Sequence, residues 1–121
     1  MKLFRITLLF QSYYYLITAL WPIVHIESFM AVSGPKTDVW LVKTVAVLLL
    51  AISVCFITQL ELRQTGRAVI ALAITCCAGL LYVDCYYAFN DIISDVYLLD
   101  GVIELVLLIL WLVILYRQRF K

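Results

Sequence analysis

Four apolar stretches, at residues 5–30, 38–60, 67–90 and 95–116, take up nearly the whole chain. Each reaches the roughly 20 residues a helix needs to cross a hydrocarbon core. In a soluble protein, helices this apolar would have to be enclosed by other elements, and the 121 residues leave nothing to enclose them. An apolar share of 66% and a mean hydropathy of +1.07 place the chain outside the soluble range. The expected fold class is therefore all-α: an integral membrane four-helix bundle forming a single transmembrane domain over 1–121. Turn chemistry is confined to Gly34, Pro35, Gly66 and the run 90–95, so the connections are short.

The first stretch invites comparison with a secretory signal. Lys2 and Arg5 precede the apolar run, and Ala31-Val32-Ser33 resembles a cleavage site. Signal cores are short and clean, whereas this run carries Gln11, three tyrosines, Pro22, His25 and Glu27. It reads as a retained spanning helix.

Charge distribution suggests an orientation. Lys2, Arg5, Arg63, Arg67, Arg117, Arg119 and Lys121 fall on one side of two consecutive hairpins, with Glu61 as the acid among them, a formal +6. The other half holds Glu27, Asp38, Asp84, Asp91, Asp95, Asp100 and Glu104 against Lys36 and Lys43, a formal −5, which recovers the net +1. Spanning proteins keep Lys and Arg in cytoplasmic loops, which predicts an inner (plasma) membrane location with both termini cytoplasmic.

The outer halves of the two hairpins align without a gap at an offset of 57 residues, 24–52 over 81–109. Glu27 falls on Asp84, Phe29 on Tyr86, Thr37-Asp38 on Ser94-Asp95 and Trp40 on Tyr97. Matched acids and aromatics at one register point to a duplicated helical hairpin in parallel repeat. Lys43 then aligns with Asp100, which places a cation opposite an anion across the axis, and Val47 aligns with Glu104.

The acids pose the functional question. Counting ~1.5 Å per helical residue from Asp38 and Asp95, Lys43 and Asp100 lie ~7 Å deep and Glu104 ~13 Å, near the midplane of a ~30 Å core. Asp100 and Glu104 are four apart and share a face that Tyr97 and Trp111 continue. Gln11, Tyr14, Thr18, Trp21 and His25 form one polar-aromatic stripe on the first helix. Cys77, Asp84 and Asp91 recur at seven on the third. An ionised group at the bilayer centre costs ~3 kcal/mol, so such residues pair, face water or stay protonated. Lys43 compensates at most one acid. The expectation is an outer-half site formed by Glu104, Asp100, Asp84, Lys43, Glu27, His25, Tyr14 and Tyr97, completed by a proton, a cation or a cationic amphiphile. The plainer reading has Asp38, Asp91 and Asp95 as helix-end residues, Lys43 snorkelling outward, and Trp21, Trp40 and the other tyrosines as belt or packing aromatics.

Other chemistries lack their residues. Cys55, Cys76, Cys77 and Cys85 contain no C-x-x-C pair, and buried cysteine behaves as a small apolar residue. One histidine without a ligand partner at i,i+4 makes no zinc site. Phosphate loops and nucleophile elbows are missing, so no catalytic residue, metal or cofactor is implied. The inner basic residues suit anionic lipid headgroups; no nucleic-acid partner is expected.

The run GPKTDVWLVKT, with WP upstream and YLLDG…E downstream, resembles small bacterial four-helix membrane proteins. In plan it is similar to DoxX-like proteins and to EXPERA membrane domains, over most of the chain in outline and over those short runs in detail. The EXPERA likeness implies sterol-like or cationic amphiphiles held among intramembrane acids and aromatics. Small multidrug transporters differ: they place a lone essential Glu in the first helix, whereas here acids are spread over three helices. Three functions follow, in order: a binding or transport protein for a cation, proton or cationic amphiphile, favouring a homodimer because four helices enclose little space; an accessory subunit whose buried charges hold helices or a partner together; and a membrane enzyme acting on a lipid-like substrate.

Overall fold

A computed structural model describes residues 2–62 and 66–120. Arg63 and Lys121, used above for orientation, lie outside the described residues. The described chain is all-α, without strands: α1 (Lys2–Val24), α2 (Ile26–Ser33), α3 (Val39–Leu62), α4 (Arg67–Phe89) and α5 (Tyr97–Arg119). Helices α3, α4 and α5 are each long and apolar enough to cross a membrane. The pair α1 and α2 meets the same test only jointly, and it is bent by 113°.

That bend corrects the continuous first helix expected over 5–30. Pro22 has no N–H to offer Thr18, which weakens the last turn of α1. The chain then leaves helical geometry at His25, with φ −145° and ψ 81°. Its imidazole Nδ1 accepts the Ser28 backbone N–H at 3.1 Å, capping α2. The Ser28 hydroxyl lies 2.7 Å from the same nitrogen and accepts the Trp21 indole N–H at 2.8 Å. The polar stripe read as one helix face thus folds over at its last member and starts a second helix. At the next turn Gly34 adopts φ +100°, a left-handed conformation that a side chain would strain.

Helix α1 packs along α3, α4 packs along α5, and α1 reaches across to α5. Small side chains line these seams: Ser12 and Ala19 of α1, Ala46 and Ser53 of α3, and Ala73 and Gly101 between α4 and α5 are buried. Small residues let helix backbones approach, which matters in lipid because apolar side chains gain little by leaving one hydrocarbon for another. Between the pairs lie larger groups. Phe4 meets the Trp111 ring edge-on at 5.6 Å between centroids, and Tyr15 tilts against Phe56 at 6.3 Å. The surface is the reverse of a soluble protein's. Large apolar side chains are exposed on every long helix, Leu, Ile and Val on α1, α3 and α5 and mainly aromatics on α4, whereas Gln11, Ser12, Ser53, Asp84 and Glu104 are buried.

Gly101 of α5 stands beside Asp84 of α4. A Cβ there would sit 3.5 Å from Asp84 Cβ and 3.8 Å from Cys85 Sγ, so an alanine fits and a branched side chain does not. Replacing Gly101 with Leu should separate α4 from α5 and cost about 1–3 kcal/mol, read as a lowered unfolding temperature in detergent, with Gly101→Ala close to wild type.

Candidate functional site

Three carboxyl groups lie near one another where α4 packs along α5, in the half of the molecule away from Lys2, Arg5 and Arg117. Asp100 and Glu104 are one turn apart on α5, and the Asp84 carboxyl of α4 abuts Asp100 and feels the charge of Glu104. Burial deepens along the set. Asp100 is partly exposed, Asp84 is 4% exposed and Glu104 0%.

Helix α1 supplies the polar groups that face them. The Tyr14 hydroxyl donates to Asp100 Oδ1. The Tyr15 hydroxyl, itself buried, donates to Glu104 Oε2 at 3.0 Å. Below this pair a second polar layer crosses the interior: the Trp111 indole N–H donates to Gln11 Oε1 at 2.5 Å, and Gln11 Nε2 donates to Cys77 Sγ at 3.4 Å. Gln11 thereby joins α1, α4 and α5 through one side chain. Phe4, Leu8 and Ile114 continue the core toward the basic end and carry no polar group.

Two acceptors in this site have no N–H or O–H donor: Glu104 Oε1 and Asp84 Oδ2 are both buried, with the Cys77 thiol beside Glu104 and the Asp100 carboxyl beside Asp84. Leaving a buried polar atom unpaired costs about 1–3 kcal/mol, and more when it is charged. The charged groups that act on Asp84 are Asp100 and Glu104, both acids.

Of the eight residues expected at the site, the structure brings together Tyr14, Asp84, Asp100 and Glu104. It leaves Glu27, His25 and Lys43 exposed elsewhere, and Tyr97 one turn before Asp100, against Lys36. Glu27 is exposed on α2, because the bend at His25 turns that helix away from the acids. His25 is exposed and engaged with Ser28. Lys43 is exposed on α3, before the buried face of Ala46, Ser53 and Phe56 begins, so it does not stand opposite Asp100. The Tyr97 ring lies 4.9 Å beneath the Lys36 ammonium. The positions matched at the 57-residue offset accordingly differ in setting: Glu27 is exposed where Asp84 is buried.

Tyr15 is the residue that sequence reading passed over in favour of Tyr14. A signal was available: Tyr15 is four residues beyond Gln11 and shares the face of Leu8, Ala19 and Pro22, all buried. The four cysteines are free thiols. Among the described residues no group of three or more His, Cys, Asp or Glu is disposed to hold a metal ion. Chemically, the arrangement can accept, hold and release a proton between carboxyls and phenols, or accommodate a small cation against paired carboxylates.

No protein-family model, no curated protein and no solved structure matches this chain.

Proposed function

We propose that this is an integral membrane protein, a four-helix bundle in which α1 and α2 count as one bent span, and that its acid cluster reversibly binds a proton, or a small cation in its place, from the outer side. The basic residues Lys2, Arg5, Arg67, Arg117 and Arg119 sit at helix ends that would face the cytoplasm, and Asp84, Asp100 and Glu104 lie in the outer half. The observation that carries this reading is the pair of buried oxygens without an N–H or O–H donor, Glu104 Oε1 and Asp84 Oδ2.

The charge balance leads there. Two of the three neighbouring carboxyls, Asp84 and Glu104, are buried, and Lys43 and His25, the nearby cations expected from sequence, are exposed elsewhere. At ~3 kcal/mol for each ionised group at depth, with mutual repulsion added, the trio is not tolerable as three bare anions. A proton removes the charge of a carboxyl, and on Asp84 it can be donated to the neighbouring Asp100; a cation between carboxylates removes the charge and fills the empty acceptors. A proton or small cation fits better than a cationic amphiphile. Ligands of drug size occupy ~300–1,000 Å³, and Glu104 is wholly enclosed by packed side chains. The open groove of ≈ 500 Å³ in this half of α4 is lined by Ala78, Tyr82, Tyr86 and Leu108 among others, with no acid.

An accessory role has one specific support: Tyr14 and Tyr15 tie α1 to α5 through these same carboxyls, as a purely structural lock would. Infrared difference spectroscopy separates the two readings. The wild type should show a protonated carboxyl band that disappears on raising pH or adding a competing cation, and the band assigned to Glu104 should be missing in Glu104→Gln. A Glu104 that stays ionised at neutral pH with no cation bound would refute the proposal.

A further inference from the structure

We infer a second binding site, at the opposite end of the molecule, for a single anionic phospholipid with a hydroxylated headgroup, of the phosphatidylglycerol class. A groove of ≈ 680 Å³ runs between the start of α1 and the end of α3, bounded at its tip by Lys2, Arg5 and Glu61 and along its length by Ile6, Leu9 and Ile57. The two ends of this groove have different chemistry, and the order matches a lipid lying along the bundle. Charged groups stand at the helix termini, where a headgroup would be. Apolar side chains follow along the next turns, where an acyl chain would run.

One of the two cations at the tip is fixed in place. Arg5 Nη1 donates to the Leu60 carbonyl at 3.1 Å, so its guanidinium is docked on the C-terminal turn of α3, whose partial negative charge favours it. That bond leaves the other guanidinium N–H donors for phosphate oxygens, the fork geometry in which arginine excels. Lys2 adds a second positive charge one turn away on the same helix. Glu61 is the feature that narrows the ligand. A carboxylate repels a phosphate monoester carrying two charges, yet it accepts hydrogen bonds from the free hydroxyls of a glycerol headgroup. Ile6 and Leu9 are exposed, and so offer apolar surface to a chain. The groove takes a headgroup and the upper part of one chain, and the remainder runs on over the exposed apolar faces.

The test is native mass spectrometry of the full chain released from detergent with equal amounts of phosphatidylglycerol and phosphatidylcholine of the same chains. One phosphatidylglycerol should be retained per chain in preference to phosphatidylcholine. Lys2→Gln with Arg5→Gln should weaken that retention roughly thirtyfold, given the contribution of each basic residue at an anionic surface. Leu9→Trp, which keeps every charge and fills the apolar length, should also weaken it; this variant decides the matter if the double variant fails to fold by circular dichroism. Equal retention of the two lipids, or retention unchanged in either variant, overturns the site. Displacement by soluble glycerol phosphate would overturn it too, because the ligand would then be a free anion and not a lipid.

Discussion

If the bound proton or cation is carried across the membrane, Glu104→Gln should reduce that flux in proteoliposomes by more than tenfold, to the level of vesicles without protein, while the fold survives unharmed or becomes more stable. Glutamine keeps the shape and retains an acceptor for the Tyr15 hydroxyl, which now donates to Glu104 Oε2 at 3.0 Å. It cannot release a proton or carry a negative charge. Replacing a buried ionisable group by a neutral one of similar volume is often neutral or stabilising, because no charge has to be desolvated. The unfolding temperature is therefore the control that gives the flux result its meaning. Activity lost at unchanged or raised stability is the signature of a group kept for function at a cost in stability. If the carboxyl were only a fastener between α1 and α5, the variant would keep both its stability and its flux, because glutamine still accepts from Tyr15. Flux equal to wild type in a folded Glu104→Gln protein would sink the proposed role. Asp84→Asn should follow the same pattern more weakly, since Asp84 lies on the less deeply buried side of the cluster at 4% exposure.

Trp111→Ala should be the most damaging single change to the fold. The indole is wholly buried and fills the space where α1 crosses α5. It meets Phe4 edge-on and donates its N–H to Gln11. Truncating a buried tryptophan costs about 3–5 kcal/mol. The Gln11 carbonyl oxygen would also lose its donor, at about 1–3 kcal/mol for a buried acceptor. Against the ~5–15 kcal/mol typical of a folded domain, the sum removes much of the stability. Trp111→Phe isolates the second part: most of the volume stays, the hydrogen bond goes, and the loss should be near ~1–3 kcal/mol. Unfolding in detergent, followed by circular dichroism, ranks the two. An alanine variant as stable as the phenylalanine one would mean that the interior collapses around the gap, and the polar layer at Gln11 would then carry less of the packing than its burial suggests.

The half of the molecule with the charged cluster shows where sequence reading reaches its limit. Asp100 and Glu104 could be placed on one face because they are four residues apart in a helix, whatever surrounds that helix. Their meeting with Asp84 needed α4 and α5 to be rotated toward each other, and that rotation depends on Gly101 allowing close approach beside Asp84. Lys43 was expected to face Asp100 and is exposed on α3 instead. Hydropathy could not have decided this, because lipid-facing and bundle-facing sides of α3 are both apolar and carry no amphipathic signal to orient the helix. A straight first helix would carry His25 and Glu27 toward the acids. Pro22 was visible as a warning, but the bend itself depends on the His25–Ser28–Trp21 contacts that cap the next helix.

Three apolar stretches became α3, α4 and α5 at close to the expected residues, because the length of a continuous apolar run and the glycine and asparagine turns that interrupt it are local properties. Sequence alone therefore determined the all-α class, the candidate spans and the spacing of the acids along α5. Tertiary structure alone decided that the first helix breaks, that Tyr15 faces the deepest carboxyl beside Tyr14 on Asp100, and that two carboxyl oxygens are left without an N–H or O–H donor. The physical reason is that helix formation follows from neighbours along the chain, whereas each helix's rotation about its axis follows from the side chains of other helices that it must fit against.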